Sequence, residues 1–170
     1  MSFKAFSNEE IQKILDHMFE CMSEESLKQQ VQKYGSVEKY REHLAAGFSN
    51  EQAIADVFKW YGSKEKAMEA IMQSTGDVKE FKQEQDKNTE IYKKFMAAKE
   101  IGDANVEKEA VEQLAENYKE MFKLDNARSI LLDLASEYLQ KQKLAEATDS
   151  QFGNGCSEYV AYAIKKYYGV

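Results

Sequence analysis

The side chains capable of acid–base, nucleophilic or metal chemistry are few and scattered along these 170 residues. His17 and His43 are the two histidines, and each falls on the polar face of a predicted helix. Without a metal-ligand constellation both read as surface residues, so neither haem nor zinc ligation is expected. Cys156 stands between Gly155 and Ser157 at a predicted helix start, where the helix dipole would lower a thiol pKa. A nucleophile usually also needs a base, and no histidine is near it in sequence. A small residue packing at a helix entry is therefore the preferred reading. The acids Glu24, Glu25, Glu107 and Glu109 lie on polar helix faces without the loop spacing of a calcium site. The lysines at Lys64, Lys66, Lys141 and Lys143 are interleaved with acids or polar residues and form no basic patch. No acid–base pair can be nominated, so the chain is expected not to be an enzyme and to need no cofactor.

Aromatic residues are abundant by comparison, with ten tyrosines, nine phenylalanines and one tryptophan. Tyrosine packs its ring while offering a hydroxyl, so Tyr61, Tyr92, Tyr118 and Tyr138 suit the lining of an amphipathic pocket. Helical stripes of this kind are also the ordinary core of most helical proteins, and both readings stand at this point.

The elements that must position these residues are helices. Proline is absent, so glycine and capping serines supply the punctuation. The unit Tyr-Gly-Ser occurs at Tyr34-Gly35-Ser36 and again at Tyr61-Gly62-Ser63. In each, the glycine can take the left-handed conformation that ends a helix, and the serine can cap the next. Ser7 and Glu10 form a capping box ahead of the stripe Ile11, Ile14, Leu15, Met18, Phe19 and Met22. Ser49 and Gln52 read as a second box. A short helix from Gly62 is expected to stop at Thr75-Gly76. The longest helix should run from Asp77 to about Ile101, anchored by Val78 and Phe81 at one end and by Ile91, Tyr92, Phe95 and Met96 at the other. Its wholly polar middle, Lys82 to Glu90, should project past the core or bridge two lobes. Val106 to Phe122 carries a strong apolar stripe. Asp125-Asn126 opens a helix whose run Ile130 to Leu139 is the most hydrophobic in the chain. Thr148 to Gly155 reads as the one real loop, before a terminal helix. No useful stretch alternates with period two, so the prediction is an all-α fold of eight or nine helices.

A net charge of −7 argues against direct binding to nucleic acid or to an anionic membrane. Two distant cysteines fit free thiols in a reducing compartment. Met1-Ser2-Phe3-Lys4 is not the start of an apolar leader, and no run approaches the ~18 apolar residues of a membrane span. A cytoplasmic, soluble protein is expected.

From Tyr61 to Tyr168 the chain resembles the TipAS-type antibiotic-recognition domain, the ligand-sensing part of a group of MerR-family transcriptional regulators. Four stretches carry the resemblance: Tyr61-Gly62-Ser63; Glu90-Ile91-Tyr92-Lys93-Lys94-Phe95-Met96 followed by Gly102; Leu131-Leu132-Asp133-Leu134-Ala135-Ser136-Glu137-Tyr138; and Gly155-Cys156-Ser157-Glu158-Tyr159-Val160-Ala161-Tyr162-Ala163-Ile164. The resemblance implies a globin-like helical domain without haem, over residues 61–170. Residues 1–60 would be an N-terminal helical extension. It also implies a cleft for hydrophobic small molecules or peptide antibiotics among the helices that carry Tyr92, Phe95, Met96, Tyr118, Phe122 and Tyr138. Covalent capture through a cysteine near the central helix, known in the family, is not expected here. The corresponding stretch, about Leu124 to Leu134, has none, and Asp133 stands near that place. Gln113 falls near the position of a histidine often seen in the family, and no MerR-type DNA-binding segment is recognisable in residues 1–60. The expected function is non-enzymatic binding or sensing of such a molecule. The alternative is a helical protein–protein interaction module, using the exposed faces of the N-terminal helices and of the Asp77–Ile101 helix.

Overall fold

The computed structural model describes residues 5–73 and 78–170, leaving out the side chains of Val78, Lys79 and Phe81. Among them are ten helices and no strand: α1 (Asn8–Cys21), α2 (Glu24–Tyr34), α3 (Val37–Phe48), α4 (Glu51–Tyr61), α5 (Lys64–Gln73), α6 (Val78–Ile101), α7 (Ala104–Phe122), α8 (Arg128–Leu139), α9 (Lys143–Phe152) and α10 (Cys156–Tyr168). The all-α expectation holds. The expected stop at Thr75-Gly76, the start at Asp77 and the anchoring by Val78 and Phe81 lie outside the described residues.

Helix boundaries follow the caps. Ser7 Oγ accepts from the Glu10 amide at 3.1 Å while Glu10 Oε1 accepts from the Ser7 amide at 2.9 Å. That backbone hydrogen bond, with the Lys64 ammonium 2.9 Å away, holds the Glu10 carboxyl below its usual pKa. Gly35 and Gly62 both end their helices in the left-handed region, at φ 97° and 90°, and Ser36 and Ser63 cap the helices that follow. The second capping box is corrected. Asn50 caps α4 by accepting from the Ala53 amide at 3.1 Å, whereas the Ser49 hydroxyl turns back to the Ala45 carbonyl.

A second correction concerns the expected loop from Thr148 to Gly155. Lys143–Phe152 is helical, and its inward face carries Ala145 and Thr148. The non-helical part shrinks to Gly153–Gly155. Gly153 has φ 125° and ψ 158°, a conformation confined almost wholly to glycine.

The helices fall into two compact units, Met1–Phe81 and Lys82–Val170, with α6 running through the junction. In the first, Phe6, Ile11, Ile14, Leu15 and Ile54 form the core, with Phe6 edge-on to Phe58 at 5.1 Å between ring centres. In the second, α10 lies mainly along α8. The most hydrophobic run in the sequence does become central, since Ile130, Leu131, Ala135 and Tyr138 are all buried. α10, which packs on both α8 and α7, buries Val160, Ala161 and Ile164, and α7 buries Val111 and Leu114.

Candidate functional site

Within the Lys82–Val170 unit, the six aromatic and methionine positions named from the sequence divide by exposure. Tyr92, Phe95 and Tyr138 are buried, Met96 and Tyr118 are half-buried, and Phe122 keeps 38% of its surface. Tyr92 and Phe95 on α6 present ring edges to each other at 6.0 Å, and Tyr92 also meets Phe152 of α9 at 5.1 Å. The hydroxyls of Tyr92 and Tyr138 share a short hydrogen bond, and Thr148 Oγ1 lies 3.4 Å from the Tyr138 oxygen. Burial pushes the pKa of Tyr92, Tyr118 and Tyr138 upward, and the mutual repulsion of ionised phenols adds to it for Tyr92 and Tyr118. These hydroxyls are neutral hydrogen-bonding groups at physiological pH. Tyr118 and Phe122, one turn apart on α7, meet edge-on at 5.6 Å.

Cys156 does not have the lowered pKa that its helix start implied. Its thiol is fully buried and pushed up to about 11, by burial first and by the Asp149 carboxylate second. Asp149 Oδ1 accepts the Ser157 amide at 2.8 Å, so the anion-binding end of α10 is already occupied. The residue packs, as the bland reading had it. Cys21 is exposed, and its sulfur lies 3.7 Å from Nε2 of His17, a one-turn pairing the sequence reading overlooked. Among the described residues, no group of three or more His, Cys, Asp or Glu side chains could hold a metal ion.

A groove of about 1060 Å3 lies between α6 and α7 in this unit. α6 contributes Gln83, Asp86, Lys87, Glu90, Ile91 and Lys94, and α7 contributes Glu109, Glu112, Gln113, Glu116, Asn117 and Glu120. Each set repeats at steps of three and four, so each is one continuous helical face. The polar stretch expected to project past the core is therefore one wall of a groove. Its lining is mainly carbon, with the buried Ile91 side chain and the methylene stems of the charged residues contributing. Tyr92 and Tyr118 each follow a groove-lining residue, Ile91 and Asn117, which places the aromatic cluster directly behind it. Outside this unit, a smaller depression of about 670 Å3 lies along α1, lined by Asn8, Gln12, Asp16 and His17 among others.

A family model for the TipAS antibiotic-recognition domain matches residues 54–167. The chain belongs to this family. The matched segment starts within α4 and takes in the groove, the tyrosine cluster and nearly all of α10. Among curated proteins and solved structures, none matches the chain. The TipAS segment and the two compact units do not share a boundary, since the match opens before the division at Phe81. Sequence reasoning missed the groove itself. The signal was present as the three-four spacing of Gln83 to Lys94, but periodicity in polar residues reads equally as a solvated face. Among the described residues no helix is long and apolar enough to cross a membrane.

Proposed function

We propose that this chain recognises an antibiotic-like small molecule without transforming it, in the α6–α7 groove of its TipAS segment. The observation that carries the reading is the groove's position. This mainly carbon-lined groove of the Lys82–Val170 unit lies wholly inside the matched residues. Its volume suits a drug-sized ligand. Burying about 300 Å2 of apolar ligand surface there would supply a gross gain of about 7 kcal/mol, before the costs of ordering. In this reading Tyr92, Phe95 and Tyr138 are the rigid wall behind the ligand. Met96, Tyr118 and Phe122 retain accessible surface, but none of them lines the groove, so they support its helices rather than touch the ligand. A globin-like helical arrangement, a cytoplasmic location and a link to transcriptional regulation belong to the same proposal.

Capture is non-covalent in this account, because Cys156 is buried and protonated at neutral pH and Leu124–Leu134 holds no cysteine. A soluble thiopeptide mixed with the protein at about 100 times its dissociation constant should stabilise it by ~2.7 kcal/mol, a rise in Tm of several degrees. Denaturing mass spectrometry should return the unmodified chain mass. A covalent adduct on either cysteine would contradict this account, and an unchanged Tm across a panel of peptide and polyketide antibiotics would favour the interaction-module alternative.

A further inference from the structure

The charges lining the α6–α7 groove are unequal and unevenly placed. Asp86, Glu90, Glu109, Glu112, Glu116 and Glu120 stand against only Lys87 and Lys94, a net of −4. Both lysines are engaged across the groove near its ends. Lys94 Nζ is 3.1 Å from Glu109, and Lys87 Nζ is 3.5 Å from Glu120. Because the earlier residue on α6 meets the later one on α7, the two helices run antiparallel, stapled at two points. Between the staples lie Glu90, Ile91, Glu112, Gln113, Glu116 and Asn117, where no lysine or arginine of the lining stands. Glu90 pairs with Lys93 and Glu116 with Lys119, same-helix neighbours that do not line the groove, in exposed pairs worth little.

Asn117 supplies an independent observation. Its side chain lines this middle section, yet the residue is only 4% exposed. Its Nδ2 donates to the Glu84 carbonyl at 3.3 Å, which fixes the orientation of the amide. Its Oδ1 is buried and has no hydrogen-bond partner. A buried acceptor left unpaired costs about 1–3 kcal/mol, which a donor arriving with a ligand would offset. The site thus offers a carbon-lined trough, a lining of net charge −4 and one buried acceptor without an N–H partner.

We infer that the groove between the stapled helices selects organic cations: amphipathic molecules whose flat or apolar body lies over Ile91 and whose protonated nitrogen or N–H reaches Asn117 Oδ1 and the acids Glu112 and Glu116. The inference rests on the small-molecule reading above and specifies the chemical class that this groove takes. Lipophilic anions are repelled by the same rim.

Two xanthene dyes of similar size and opposite charge test it: rhodamine 6G, a cation with N–H groups, and fluorescein, an anion. By fluorescence anisotropy with the full chain at low salt, rhodamine 6G should bind at least about tenfold more tightly than fluorescein, with the preference shrinking as salt rises. The double variant Glu112→Gln/Glu116→Gln changes two exposed side chains and should weaken rhodamine 6G about tenfold. Gln113→Lys, also at an exposed position, places an ammonium in the unstapled section and should abolish the preference. Circular dichroism would verify that both variants keep their helix content. Equal binding of the two dyes, or rhodamine 6G binding unaffected by all three substitutions, would overturn the inference. If neither dye binds while a thiopeptide still raises Tm, cation selection fails and the small-molecule reading survives. If none of the three compounds has an effect, both fall.

Discussion

Replacing Tyr138 by phenylalanine removes a single oxygen but affects two neighbours. The Tyr92 hydroxyl loses its partner in a buried site, and Thr148 loses its contact at 3.4 Å. The expected cost is about 1–3 kcal/mol in chemical denaturation, whereas Tyr138→Ala, which also empties core volume, should cost about 3–5 kcal/mol. Phe122→Ala should cost clearly less than Tyr138→Ala, because 38% of its surface is already in water. Equal losses at the two positions would show that Phe122 is packed as core. The thiols give a pH test. Cys156 keeps its proton to about pH 11 in the fold, against 9.0 for an ordinary thiol. The stability it contributes is whole below pH 9, declines as the unfolded chain's thiol ionises, and is gone above pH 11. Tyr159, pushed up to about 12 by burial and by its hydrogen bond to Glu107, extends that alkaline loss upward from pH 10. At pH 8 a thiol reagent should therefore modify Cys21 rapidly and Cys156 only on unfolding, which a titration of reactive thiols reads directly. At this scale the sequence revealed the aromatic residues but not the orphaned Asn117 oxygen. Burial of a polar atom depends on which helix comes to lie over it, and no local pattern encodes that.

The helices were legible wherever a side chain or glycine announces an end. Ser7, Ser23, Ser36 and Ser63 cap as their positions suggest, and Gly35 and Gly62 terminate as glycines do. Several ends carry no such mark, and two of them lead through left-handed lysines. α7 stops at Lys123 and the turn after α8 passes through Lys141, both left-handed at φ 54° without being glycine. A left-handed lysine gives no local signal of a stop, so the break before α9 stayed hidden and residues 148–152 of that helix read as loop. Gly153 is the element-scale position most sensitive to change. A Cβ there would meet Met96 Cε at 3.4 Å and, more seriously, would occupy a backbone region closed to L-residues. Gly153→Ala should lower stability by about 1–3 kcal/mol. Gly62→Ala, strained by its left-handed φ of 90° but with open space around it, should cost less, about 1–2 kcal/mol. The reverse order in thermal melts would mean that the α9–α10 connection relaxes freely.

For the molecule as a whole, composition and period were enough to give an all-α chain, and the TipAS match confirms the resemblance seen over its last two thirds. The site was less legible. The resemblance directs attention to tyrosines and phenylalanines, and half of those named turn out buried among themselves. The opening lies instead along charged faces of α6 and α7, which in sequence resemble any solvated surface. What turns them into a groove is the antiparallel pairing of two segments joined by a tight turn at Gly102 and Asp103, stapled by Lys94–Glu109 and Lys87–Glu120. The most direct test is a two-dimensional amide NMR titration of the labelled 19.6 kDa protein with a soluble thiopeptide. Shift changes should concentrate at Gln83–Lys94 and Glu109–Glu120, with smaller effects at Tyr92, Tyr118 and Tyr138. Changes confined to residues 5–73, or no saturable change at all, would contradict a ligand site in the α6–α7 groove.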